Sequence, residues 1–242
     1  MSPSAKSLTG QRVVLVGGTS GIGLGVAAAA LAEGAQVVVA SSQAANVDAA
    51  VKQLGEGASG SVVDVGDEAS VAQMFEALGA FDHLTYSAGD WGPGMGSTAR
   101  DLDLATAKAG FDVRFWGALT VVKYGCRSIA ANGSITLTDG MLAHRPRKGA
   151  LVATAMLGGI EHLVASLAVD LAPVRVNGVC PGLILTERNS RMSEEMMKAY
   201  TNRLPLPRAG EPAEAAEAYL YLMRGGYTTG QVLRVDGGGS AV

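Results

Sequence analysis

The chain has 242 residues, 48% apolar and 17% charged, with a formal net charge of −3. That is enough for one large core with no linker or charge block dividing it. The charge excludes a basic face for nucleic acid or an anionic membrane. Residues 1–10 lack a signal-peptide core and no apolar run is expected to reach membrane-spanning length, so a single soluble, cytoplasmic domain over 1–242 acting on small molecules is expected.

The first element is the β-branched run Val13-Val14-Leu15-Val16, which reads as a buried parallel strand. Gly17-Gly18-Thr19-Ser20-Gly21-Ile22-Gly23 follows, then an Ala-rich helical stretch without proline over 24–33. The glycines let the backbone turn sharply and approach a ligand, and the helix start presents free N–H groups and a positive dipole end. This is a phosphate cradle, and a dinucleotide pyrophosphate is its expected occupant.

Strand and helix then alternate. Strands are expected at 36–40, 60–63, 83–87, 134–138, 175–179 and 231–235, with helices at 47–54, 68–78, 104–130, 152–171 and 211–224. Nearly all-apolar strands separated by helical lengths predict an α/β fold: a single Rossmann-type, doubly wound parallel sheet with helices on both faces. Ligands of such sheets sit beyond the carboxyl ends of the strands. Cys126 and Cys180 lie in apolar surroundings without metal-ligand spacing, so they read as reduced core thiols and no metal is expected.

Six ordered stretches carry a family resemblance: the glycine turn, Asp64-Val65, Ser87-Ala88-Gly89, Arg175-Val176-Asn177, Pro181-Gly182 with Thr186, and Thr229-Gly230-Gln231 with Val235-Asp236-Gly237-Gly238. In order and spacing the chain resembles the short-chain dehydrogenase/reductase family over nearly its whole length. The resemblance implies a nicotinamide cofactor and a homotetramer or dimer. It places Gly17, Thr19, Ser20, Gly21, Ile22 and Gly23 around the pyrophosphate and ribose, Asp64 and Val65 at the adenine, and Ala88 and Gly89 along the ribose. The stretch of Pro181, Gly182, Ile184 and Thr186 would hold the nicotinamide carboxamide. After the second strand stands Ala40-Ser41-Ser42, with no carboxylate to repel a 2′-phosphate. Ser41 and Ser42 therefore favour NADP(H), although the arginine that usually secures that phosphate is missing; the alternative is that both serines merely begin a solvated loop.

The departures bear on chemistry. The family's Tyr-x-x-x-Lys pair falls on Ala153 and Leu157, neither of which ionises, so ordinary carbonyl chemistry loses its general acid. The family's helical Asn falls on Arg114, and its serine falls on Asp139 or Gly140. Arg114 and Asp139 are the candidate catalytic pair, with Asp139 offering negative charge and Arg114 orienting Asp139 or the substrate; otherwise they are a buried ion pair. Tyr86 replaces another family Asn and is expected to pack rather than donate a proton. His144, in the polar run Ala143-His144-Arg145-Pro146-Arg147-Lys148, reads as solvated.

A narrower resemblance rests on 86–90, Arg114-Phe115, 137–140, Arg145-Pro146 and Gly158-Gly159-Ile160-Glu161. These resemble a branch that includes fungal NADPH-dependent reductase/Diels-Alderase enzymes of prenylated indole alkaloid biosynthesis. That branch implies reduction of an iminium or imine, coupled to an intramolecular Diels–Alder cycloaddition. A substrate lid is expected at about 187–207, where Met192, Met196, Met197 and Tyr200 share a helical face suited to a bulky hydrophobic substrate. Two other classes stay open: a non-redox cyclase or isomerase that keeps the dinucleotide as part of its wall, and a cofactor-binding sensor or partner subunit without turnover.

Overall fold

The glycine turn and the strands around it set the architecture. The computed structural model describes residues 7–89, 96–187 and 189–242. The stretch 90–95 and position 188 in the expected lid lie outside them. Seven strands form one parallel sheet: β1 Arg12–Val16, β2 Gln36–Ser41, β3 Ala58–Val62, β4 Phe81–Tyr86, β5 Ile129–Thr138, β6 Arg175–Pro181 and β7 Val232–Val235. Their order is β3-β2-β1-β4-β5-β6-β7, so the order of strand addition reverses between β1 and β4. A crevice opens at that switch point, which is where such sheets bind ligands.

Both faces are covered. On one, α1 Gly21–Ala32, α2 Ala44–Leu54 and α8 Pro212–Arg224 pack on Val13, Leu15, Val37 and Val39. On the other, α3 Glu68–Leu78, α5 Ala118–Gly125 and α6 Leu151–Asp170 pack on Val14, Val16, Leu84, Ile135 and Leu137. Alternate residues of one strand serve opposite layers, which is why β1 and β2 read as unbroken valine-rich runs. Each fully buried Val or Leu contributes about 1.5–3 kcal/mol, so the two layers dominate the stability of the sheet.

Three expectations are corrected. The helix expected over 104–130 is broken into α4 Leu104–Ala109, a π-helical turn at Asp112–Gly117 and α5, and Ile129 and Ala130 belong to β5. β5 starts early because Ile129 pairs with Phe81 before a register shift leads to the His83–Ser134 pair. Secondly, α6, with 20 residues and a mean hydropathy of 1.6, is long and apolar enough to cross a membrane. Its apolar face, with Met156, Ile160 and Val164, is instead packed within the protein. Thirdly, Cys126 is only half-buried, whereas Cys180 is fully buried; both are free thiols.

Asn177, a motif residue away from the crevice, does structural work. Asn177 donates from Nδ2 to the Thr228 carbonyl at 2.9 Å and accepts from the Gln231 N–H at 3.1 Å, clamping the turn into β7.

Candidate active site

The switch-point crevice holds a cavity of about 600 Å³. Every residue singled out for the dinucleotide lines it: Gly17, Thr19, Ser20, Gly21, Ile22, Gly23, Ser41, Ser42, Asp64, Val65, Ala88, Gly89, Pro181, Gly182, Ile184 and Thr186. Arg114 and Asp139 line the same cavity, as do Gly140 and residues not anticipated from sequence, among them Gln43, Asn46 and Asn189.

The glycine turn fits a dinucleotide because it has no room for side chains. A Cβ on Gly17, whose φ is +90°, would lie 2.3 Å from the Ala88 nitrogen, and one on Gly23 would lie 2.2 Å from the Gly17 carbonyl oxygen. Backbone from β1 and β4 is thereby brought together under the start of α1. Ser20, the residue preceding α1, does not cap the helix with its side chain, so the first-turn N–H groups are left for an anion. Ser41, Ser42, Gln43 and Asn46 bring uncharged polar groups to the end of β2, with no carboxylate among these four.

Asp139 stands at the end of β5, its N–H donating to the Val179 carbonyl at 2.8 Å across to β6. It is only 2% exposed, and neither carboxyl oxygen has a well-formed hydrogen bond among the described residues. Around it gather three groups from separate elements: His144 beyond β5, Glu161 on α6 and Cys180 on β6, with one polar atom of each of the four residues within 4.8 Å of all the others. Burial first, and then the Glu161 carboxyl, push the Asp139 acid up to about 8. At neutral pH this carboxyl keeps its proton. A carboxyl raised this far is able to donate a proton as well as to serve as the counter-ion expected from the sequence.

His144 is corrected as well. It is not solvated: its Nε2 lies 2.5 Å from Glu161 Oε1, though not aligned as a hydrogen bond, and both side chains are only about one-fifth exposed. Sequence reasoning missed Glu161 as a site residue. Its signals were its place in the Gly158-Gly159-Ile160-Glu161 stretch of the narrower resemblance and its position one helical turn beyond Leu157, on the same face of α6. Ala153 and Leu157 themselves are buried against Leu142 and Met156, so α6 brings no ionisable group to those two positions.

The π-helical turn positions Arg114. Tyr86, 1% exposed, donates its hydroxyl to the Val113 carbonyl, a group left over by the widened turn. Gly89 completes the arrangement: a Cβ there would lie 2.8 Å from Arg114 Nε. Burial raises the Tyr86 phenol well above its ordinary range, which agrees with a packing and bracing role. Tyr86→Phe is therefore expected to cost about 1–3 kcal/mol of stability in denaturant unfolding. Turnover should stay close to wild type; a loss of about 10²-fold or more would instead mark Tyr86 as the proton donor.

The lid is only partly as expected. The segment after β6 holds α7 Glu194–Thr201, on which Met197 and Tyr200 are half-buried but Met196 is 59% exposed. The cavity wall on this side is built from Ile184, Thr186, Glu187 and Asn189 rather than from the methionines.

Comparison with known proteins agrees with this geometry. A family model described as enoyl-(acyl carrier protein) reductase matches residues 2–240. The short-chain dehydrogenase/reductase ATR9 of Stachybotrys chlorohalonatus is 33% identical over 253 residues, covering 96% of this chain and 98% of the relative. Among solved structures, the MalC reductase/Diels-Alderase from Malbranchea aurantiaca is 27% identical with a TM-score of 0.89, covering 97% of this chain and 98% of that one. A small-chain dehydrogenase in complex with NADPH is 37% identical with a TM-score of 0.82, covering 96% and 99%. Sheet, crevice and glycine cradle together define a Rossmann-type oxidoreductase that binds a nicotinamide dinucleotide. The chain belongs to the short-chain dehydrogenase/reductase family.

Proposed function

We propose that the protein is an NADP(H)-dependent reductase of an imine, iminium or similarly activated bond in a bulky hydrophobic substrate, with Asp139 as its acid. The observation that carries this reading is the buried Asp139 carboxyl on the wall of the dinucleotide cavity, held well above the ordinary carboxylate range by burial and by Glu161. Asp139 stands at, or one residue before, the position where the family resemblance puts a catalytic serine, and the same resemblance puts the Tyr and Lys positions on Ala153 and Leu157. When bound, the reduced nicotinamide supplies the hydride. Asp139 gives its proton to the imine nitrogen: the carboxyl O–H bond breaks and an N–H bond forms. The resulting carboxylate pairs with the iminium until the hydride makes the new C–H bond and leaves a neutral amine. The substrate gains two electrons and one proton beyond the hydride's own, and Asp139 is reprotonated from solvent after release. Arg114, lining the same cavity, orients the substrate.

A ketone is the poorer substrate for this arrangement. Its oxygen is far less basic than an imine nitrogen, so Asp139 cannot protonate it ahead of the hydride and no cation forms for the carboxylate to stabilise, whereas a protonated imine makes the same carboxylate a favourable partner. The similarity to MalC, itself described as a reductase and Diels-Alderase, favours a second activity in the same cavity, an intramolecular cycloaddition of the reduced product.

The preference for NADP(H) rests on Ser41, Ser42 and the absence of a carboxylate beside them, and on the 37% identical relative bound to NADPH. Ser42→Asp is expected to weaken NADPH binding at least about tenfold, roughly 1.4 kcal/mol, and to spare NADH. Fluorescence titration with both cofactors checks this; equal losses for the two would remove the 2′-phosphate from this position. We also place the chain in a homotetramer or dimer, joined through the C-terminal end where Tyr221 and Tyr227 are exposed. Light scattering of the purified protein tests it, and a monomer would refute it.

A further inference from the structure

The four groups Asp139, His144, Glu161 and Cys180 invite two accounts: a metal site, or two carboxyls that share a proton. Arg234 decides between them. Its guanidinium lies 3.2 Å from His144 Nδ1, and a guanidinium only donates, so Nδ1 accepts and the ring hydrogen resides on Nε2, the nitrogen 2.5 Å from Glu161 Oε1. A metal-ligating histidine needs the opposite arrangement, with the far nitrogen donating to a carboxylate or carbonyl. The fixed positive charge of Arg234 also disfavours a second cation behind the ring. Moreover, a 2.5 Å separation of Nε2 and Oε1 is shorter than two ligands of one ion keep when each stands about 2.0–2.2 Å from it at tetrahedral angles.

We propose that Glu161 is a positioning residue for the Asp139 proton: its carboxylate, beside the His144 ring that Arg234 backs, keeps the one proton of the carboxyl pair on Asp139, the member that lines the cavity. The inference rests on the reading of Asp139 as the acid and adds what loads it. In a buried pair of carboxyls only one ionises readily, and the one with the better donors takes the charge. Glu161 Oε1 lies 2.5 Å from His144 Nε2, whereas the Asp139 carboxyl faces only the Gly140 N–H and the weakly donating Cys180 thiol; none of these contacts is a fully aligned hydrogen bond.

The remaining neighbours act in the same direction. On β6 the Cys180 thiol, pushed up by burial and by Asp139 itself, stays neutral beside the pair. Asp236, beyond β7, adds negative charge near Cys180, yet its oxygens are engaged by the Gly238 and Ser240 N–H groups. From α8, Tyr219 is bound to Thr138 Oγ1 at 2.7 Å and is too buried to ionise. Arg114 is the cation on the cavity side, where it balances the carboxylate only after the proton has left.

The test follows the protonated-carboxyl infrared band of Asp139, assigned by its loss in Asp139→Asn, through a pH titration of the full chain without substrate. In wild type the band is expected to persist to about pH 8. In Glu161→Gln, and in His144→Ala should that variant fail to fold, it is expected to disappear at about pH 7 or lower. Glu161→Asp should restore part of the wild-type value. An unchanged titration in the folded variants overturns the proposal, and so does stoichiometric zinc in the purified protein. Because no substrate is present, a shifted band with no imine turnover sinks the reductase reading alone. Imine turnover with an unshifted band sinks only the role of Glu161.

Discussion

Asp139→Asn is expected to lower kcat for a neutral cyclic imine by about 10²–10⁴, the range that general acids contribute, while NADPH binding stays near wild type. The asparagine keeps the shape but has no proton to give and no charge to leave behind. For a permanently charged N-alkyl iminium, which needs no proton, the loss should be much smaller, because only the carboxylate's attraction is missing. The pH dependence follows the same logic. Asp139 must be protonated to act on a neutral imine, so that activity falls as pH rises through about 8. The charged iminium gains from the ionised carboxylate, so its turnover is held or rises over the same interval. Unfolding cannot imitate this pattern. Asp139 holds its proton in the folded chain up to about 8 but loses it near the ordinary 3.8 when unfolded. Its burial therefore costs stability progressively as pH rises from 4 to 8, and the asparagine variant should be no less stable than wild type at pH 8.

Gly23→Ala is expected to abolish measurable dinucleotide binding. The added methyl would lie 2.2 Å from the Gly17 carbonyl oxygen and 2.5 Å from Ser87 Oγ, two groups fixed by the ends of β1 and β4. Ser87 Oγ itself donates to that Gly17 carbonyl at 3.1 Å, so the methyl would part a hydrogen-bonded contact as well. The start of α1 must then move away from the turn, and the amides that face the pyrophosphate move with it. Isothermal titration with NADPH should show a loss of about 100-fold or more, roughly 2.7 kcal/mol. Wild-type affinity would mean that the cofactor does not use this cradle. Gly79, with nothing within 4 Å of its Cβ position, marks the contrast between a turn glycine and one held by close approach.

The cofactor end of the molecule was legible in the sequence because its signals are local. A strand, a glycine turn and an alanine-rich helix follow one another within twenty residues, and each makes its neighbour more specific. The same held for α3, whose bounds are given by the Asp67 cap at one end and Gly79 at the other. Local signals failed where the tertiary fold overrode them. The apolar pattern of 104–130 fits a continuous helix, but Tyr86 draws out the Val113 carbonyl, and pairing with Phe81 takes Ile129 into the sheet. The cluster around Asp139 was less legible still. Asp139, His144, Glu161 and Cys180 come from a strand end, a loop, a helix and a second strand, and no spacing in the chain announces that they meet. Reading His144 as solvated followed from its polar neighbours in sequence, whereas its neighbours in space are Glu161 and Arg234.

The most direct test of the central claim is single-turnover oxidation of bound NADPH, followed by its absorbance, against matched cyclic imines, N-alkyl iminium salts and ketones. The account predicts that imines and iminium salts oxidise the cofactor while matched ketones do not, with imine turnover alone failing above about pH 8. Cofactor that binds tightly yet stays reduced with every member of the panel, or ketones that react as fast as imines, would contradict it.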